Sequence, residues 1–142
     1  MSSKIFKCHV LVGGNASGEG LFCRQAFTFD RAVDTRTGVV ADARSEIAGA
    51  SIKGKVLFYR EGKGSTAGSS WLVEALRLGN GPGAVVTEYL DLAAVVGSVM
   101  GGILYRRSIP VLSGIDAGIF ATAKVGAIAS VKGDSVKVVL AG

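Results

Sequence analysis

KVLFYREGKGSTAGSSWLVEALRLG, residues 55–79, decides the fold. Residues 55–60 are a short β-rich run that ends in a glycine-rich loop. Trp71, Leu72, Ala75, Leu76 and Leu78 then fall at helical spacing, and Gly79 supplies the stop. A strand that passes through a glycine-rich turn into an amphipathic helix is the first half of a β/α unit. The chain then repeats the order. Residues 83–88 (GAVVTE) form a second strand after an Asn-Gly-Pro-Gly turn, residues 90–104 a second helix, and residues 109–114 (IPVLSG) a third strand. Strand, helix, strand, helix, strand with short links predicts a small parallel sheet with crossover helices.

The flanks follow a different rule. Residues 4–12, 19–23 and 27–30 have strand-like patterning, and VDTRTGVV (residues 33–40) is hairpin-like around Thr37-Gly38. AIASVKGDSVKVVL (residues 127–140) is a hairpin with Lys132-Gly133-Asp134 at its tip and alternation on both arms. The expected fold class is therefore α/β in three layers, a central parallel β/α unit flanked by antiparallel β-structure, with the helices on one side. Residues 1–142 are expected to form a single domain, with no internal repeat.

Composition narrows the function classes. With 142 residues and 49% hydrophobic content, the chain can build a core without disulfides or metals. The formal charge of +5 is carried by dispersed Lys and Arg in runs no longer than two, with few aromatics between them. That argues against a nucleic-acid platform and for a solvated surface, an acidic small-molecule substrate or an acidic partner face. Cys8 and Cys23 are too few for a zinc or cluster site and are expected to be buried free thiols. The N-terminus has the pattern of a first strand, not of a signal peptide, so the expected location is cytoplasmic. The longest uncharged apolar run, LAAVVGSVMGGILY from Leu92 to Tyr105, is too short to span a bilayer and is expected to be a buried helix.

Chemistry is expected at the loop after the first parallel strand, because ligands of open α/β sheets sit at the carboxyl ends of strands, where helix N-termini point free N–H groups outward. Gly62, Gly64 and Gly68 allow close backbone approach, and Ser65, Thr66, Ser69 and Ser70 bring hydroxyls. The spacing is not that of a Walker P-loop. Ser65 or Thr66 is equally readable as a helix N-cap. The sole histidine, His9, sits mid-strand, no G-x-S-x-G elbow exists, and the carboxylates show no metal-ligand spacing. Asp34 and Asp116 flank glycine-containing turns and could line a pocket, with turn-forming the first expectation for both. This inventory is too thin for an independent catalyst. Either the chain binds something, or it donates a few groups to a site shared with a partner.

SEIAGASIKGKVLFYREGKGSTAGSSWLVEAL, residues 45–76, resembles the small-subunit family of aconitase X. The likeness extends to Gly18-Glu19-Gly20-Leu21, Val33-Asp34, Thr37-Gly38, GPGAVV, the apolar helix and IPVLSGID (residues 109–116). It implies a swivelling β/β/α domain, in agreement with the three layers above. It also implies a cytoplasmic hydro-lyase whose large subunit carries an iron–sulfur cluster, with no metal bound by this chain. In that family a serine of the swivelling domain takes the substrate α-proton, and the matching position is Ser65. Lys63, Gly64, Thr66 and Asp34 are the implied substrate-binding neighbours. The implied partners are the large subunit and a small hydroxy acid, with no nucleic acid and no membrane. Two usual glycines of the family are here Arg31 and Ala32, and the usual proline before the loop is replaced by Arg60-Glu61. Substrates in the family are cis-3-hydroxy-L-proline or mevalonate 5-phosphate. An Ala- and Gly-rich composition leans towards the first. The competing expectation is a non-catalytic binding or regulatory module on the same swivelling fold.

Overall fold

The computed structural model describes residues 2–64 and 67–139. The described elements are β1 (Ser3–Lys7), β2 (His9–Val12), β3 (Asn15–Cys23), β4 (Val33–Asp34), β5 (Val39–Val40), β6 (Val56–Tyr59), α1 (Gly68–Arg77), β7 (Ala84–Thr87), α2 (Leu92–Tyr105), β8 (Val111–Ser113), α3 (Ile119–Thr122), β9 (Ile128–Lys132) and β10 (Ser135–Val139). β6, β7 and β8 are buried along their whole length and pair in parallel, as strands covered on both faces do. Their side chains alternate between two cores. Leu57, Tyr59, Val85 and Val111 join Leu72, Leu76 and Ala94 of the two long helices. Val56, Phe58, Ala84, Val86 and Leu112 face Ala129, Val131, Val136 and Val138 of the C-terminal hairpin. These are the three expected layers: antiparallel β-structure, central sheet, helices.

One strand ties the two β-layers together. The first part of β3, Asn15 to Glu19, pairs with β9 antiparallel, and Gly20 to Cys23 pair with β6 in parallel. The full order is β1-β10-β9-β3-β6-β7-β8-β2, with β4 and β5 as a separate two-stranded hairpin. β1 and β2 thus lie at opposite ends of one curled sheet although only Cys8 separates them. The predicted strand 4–12 is therefore two strands, because its first half completes the antiparallel layer and its second half edges the central sheet. The backbone N–H of Cys8 donates to the Asp134 carbonyl at 2.8 Å and fixes the crossing.

Two expectations fail. Residues 27–30 are not a strand: Phe27 makes a single parallel bridge to Gly62, and the chain then turns, with Ala32 and Val33 N–H groups donating to the Phe29 carbonyl. Both Phe27 and Phe29 enter the core, edge to face, which a two-residue strand alternation mimics in sequence. The second failure concerns α2, which is not a buried helix. Only Ala94, Gly97, Ser98 and Gly101 are buried; of its large side chains Val95 packs against the core, and the others point outward. The small residues let it lie close on α1: a Cβ on Gly97 would sit 2.8 Å from Leu72 Cδ2, and one on Gly101 2.9 Å from Leu76 Cδ1. Ser98 Oγ donates to the Ile109 carbonyl at 2.6 Å and accepts the Ile109 N–H at 2.8 Å, which docks the helix on the entry to β8. Among the described residues no helix is long and apolar enough to cross a membrane.

Candidate functional site

β6 and β7 end side by side, and their continuations are locked together. The N–H groups of Glu88 and Tyr89 donate to the carbonyls of Tyr59 and Arg60, and Arg60 Nε meets Glu88 Oε1 at 2.8 Å. Contact with Glu88 holds the Arg60 guanidinium even more firmly protonated than usual. From this edge the chain enters the glycine-rich loop. Phe27 N–H donates to the Glu61 carbonyl and Lys63 N–H to the Phe27 carbonyl, both at 3.0 Å, so residues 61–63 are held as a short extension of the sheet. Gly64 has φ +83°, the left-handed conformation that glycine adopts without strain.

Two helices begin at this edge. The N-terminus of α1 comes close because Gly68 has no side chain; a Cβ there would stand 3.1 Å from Thr28 Oγ1. The N-terminus of α2 is capped by Asp91, whose Oδ1 accepts the Ala93 N–H at 3.1 Å. Its Oδ2 accepts the Tyr59 hydroxyl at 2.5 Å, inside the protein: Tyr59 is fully buried and Asp91 only 7% exposed. Burial first, and the Asp91 charge second, push the Tyr59 hydroxyl well above its ordinary 10.0. The same carboxylate props the loop, since a Cβ on Gly62 would fall 2.5 Å from Asp91 Oδ1. Only glycine passes over it.

Between loop and helices lies a cavity of about 220 Å³, lined among others by Phe27, Thr28, Lys63, Gly64, Tyr89 and Asp91. A second cavity, about 200 Å³, shares the wall formed by Phe27, Thr28 and Lys63 and continues past Asp42, Arg44 and Ser45. Together they are a groove along the loop. Lys63 and the start of α1 bring positive potential to it, and Glu61, Asp91 and Asp42 bring carboxylates. On its far wall Arg44 pairs with Asp42 at 3.3 Å, and the Asp42 carboxyl is held below its usual range mainly by the Arg44 backbone N–H.

Of the residues expected at the site, Lys63 and Gly64 line the groove. Asp34 does not: it accepts the Arg36 N–H at 2.9 Å and its carbonyl accepts Gly38 N–H, so it shapes the β4–β5 turn. Ser65 and Thr66 lie outside the described residues. Ala67, the residue before α1, already has helical dihedrals, φ -57° and ψ -25°. Asp91 and Tyr59 were not foreseen. The signal for Asp91 was present, because an Asp immediately before a helical apolar run is an N-cap signature. His9 is exposed on β2. Cys23 is buried and Cys8 half-buried; burial pushes both thiols up, Cys8 to about 11. Among the described residues, no three His, Cys, Asp or Glu side chains gather into a metal-binding group.

Comparison with known proteins gives a consistent set. The family model of the aconitase X swivel domain matches residues 5–140. The phosphomevalonate dehydratase small subunit of Pyrococcus furiosus is 37% identical over 106 residues, 75% of this chain and 75% of that protein. Its counterpart from Thermococcus onnurineus is 38% identical over 106 residues, 75% and 77% of the two chains. The crystal structure of Thermococcus kodakaraensis aconitase X in its holo-form matches with a TM-score of 0.84 at 30% identity, covering 96% of this chain and 98% of that one.

Proposed function

The chain belongs to the aconitase X swivel-domain family, and we propose that it is the small subunit of a heteromeric dehydratase, completing an active site it shares with a large subunit. The observation that carries this reading is the groove: two helix N-termini converge on a loop that leads directly into Ser65, yet the described residues around it hold no acid–base pair sufficient for catalysis alone.

In this reading Ser65 takes the α-proton of a small hydroxy acid, the C–H electrons form the new double bond, and the β-hydroxyl leaves as water with a proton from an acid of the large subunit, Ser65 giving up its own proton before the next turnover. A serine is a base only when its oxyanion is stabilised. The positive end of α1, which begins at Gly68, is one source of that stabilisation, and a cation of the large subunit is a second. Lys63 holds the anionic end of the substrate. Gly64 and Thr66 are further substrate-binding residues in this reading. The iron–sulfur cluster implied by the family belongs in this reading to the large subunit. The described residues of this chain do not fit one, since Cys23 is sealed in the core and Cys8 stands apart from it in the β1–β2 crossing.

Two substrates are in contention. Similarity to phosphomevalonate dehydratase small subunits supports mevalonate 5-phosphate, and so do Lys63 and Arg44 along one groove, which suit a phosphorylated acid. Composition alone leaned towards cis-3-hydroxy-L-proline. The test is the co-purified complex, assayed anaerobically with each compound and analysed for the dehydrated product. Water loss from mevalonate 5-phosphate but not from the hydroxyproline is the expected result. Turnover of the hydroxyproline alone would reverse the substrate assignment, and turnover of neither would favour a non-catalytic module.

A further inference from the structure

We propose that the outward face of α2, with the Tyr89-Leu90 turn that precedes it, is the surface on which the large subunit docks. The inference rests on the reading of the chain as one subunit of a dehydratase and adds the place of contact. A helix that packs on a single core normally sends its large apolar residues inward. Here the sides are exchanged. Ala94, Gly97, Ser98 and Gly101 face α1 and the sheet, and Leu92, Val96, Val99, Met100, Ile103 and Leu104 face outward, 37–70% exposed.

Tyr89 and Leu90, 54% and 55% exposed, continue the same face. Eight large apolar side chains on one strip, 37–70% exposed, are more than the singly scattered apolar residues normal on a monomer surface and mark an interaction site. No Asp, Glu, Lys or Arg occurs from Leu92 to Tyr105, so the occupant must present an apolar surface of its own.

Its position names that occupant. Tyr89, Leu90 and Leu92 are also walls of the cavity beside the glycine-rich loop. A chain seated on α2 therefore reaches over the mouth of the groove, where the other half of a shared active site has to stand. A second copy of this chain seated there would cover the groove with a surface that brings no complementary catalytic groups. The large subunit is the partner that both hides the patch and completes the site.

The test uses the full chain and its cognate large subunit. The double variant Val99→Glu/Ile103→Glu places two charges on the exposed face, and Val125→Glu is the control at the 94%-exposed apolar residue elsewhere. Affinity for the large subunit is measured by titration, and folding of each variant by circular dichroism. The double variant is expected to fold and to bind at least about 100-fold more weakly, with the control unchanged. Binding within about threefold of wild type would overturn the proposal. So would a wild-type homodimer that the double variant dissociates and the large subunit does not. Should the double variant misfold, hydrogen exchange of the wild-type complex decides: new protection across residues 89–105 supports the surface, and protection confined elsewhere refutes it. The two readings fail separately. A wild-type pair that neither associates nor dehydrates substrate sinks the dehydratase assignment, whereas an active pair insensitive to both charges sinks only the docking face.

Discussion

Ser65→Ala in the assembled complex is expected to lower turnover by ~10²–10⁴-fold, the range a positioned general base supplies, while assembly and substrate affinity stay near wild type. The contrast with Thr66→Ala carries the interpretation. Both residues are small hydroxyl side chains in the same loop and equally good capping residues, so a loss of capping alone should affect the two alike. If Ser65 acts on the α-proton, its loss appears in kcat and Thr66→Ala leaves most of kcat in place. Equal, modest effects of both substitutions on kcat, with matching losses of thermal stability, would mean that the loop hydroxyls are structural. Steady-state kinetics on the co-purified complex with melting curves for each variant separate the two outcomes.

The largest expected effect on stability is at Asp91. Asp91→Ala removes the acceptor of the buried Tyr59 hydroxyl and the N-cap of α2 at once. A lost N-cap costs about 1 kcal/mol, and a buried hydroxyl left without a partner costs about 1–3 kcal/mol. The expected loss is therefore on the order of 2–4 kcal/mol in urea unfolding. Adding Tyr59→Phe to Asp91→Ala should cost little more, because the stranded hydroxyl is then gone; strict additivity would show that the two groups are not coupled. The pH dependence has a definite sign. The folded Tyr59 hydroxyl is held above its ordinary 10.0, so its contribution is present throughout the neutral range and falls only as pH rises past the unfolded value. In the complex, Asp91→Ala should also lower activity, since the carboxylate under Gly62 is what sets the height of the loop.

Much of this architecture is legible in the residues. The short β-rich runs of β6 and β7, the helical spacing from Trp71 to Leu78 and the Lys132-Gly133-Asp134 turn each have one physical solution, and the structure adopts it. Where patterning has two solutions the sequence is silent. Residues 92–105 are apolar on every side, so hydropathy cannot say which side faces the core; the sizes of Gly97, Ser98 and Gly101 decide it, through the approach of Leu72, Leu76 and Arg107. Phe27 and Phe29 alternate like a strand and yet occupy a turn, because both rings are needed in one core with Tyr59. Asp34 has the composition of a pocket residue and the hydrogen bonds of a turn residue. Of the site, the glycine-rich loop was visible from its place between strand and helix, and Asp91 was detectable from capping rules alone. The role proposed for Ser65 has no such signal: a lone serine has no local signature of basicity, and only likeness to a family brings it forward.

The most direct measurement is a titration of the isolated large subunit with this chain, following substrate dehydration as the chain is added. Turnover should be absent in either component alone and should rise with added chain to a plateau at a fixed stoichiometry, with Ser65→Ala reaching the same binding plateau but ~10²–10⁴-fold less turnover. Full turnover by the large subunit before any chain is added, or a wild-type chain that binds without raising turnover, would contradict the account.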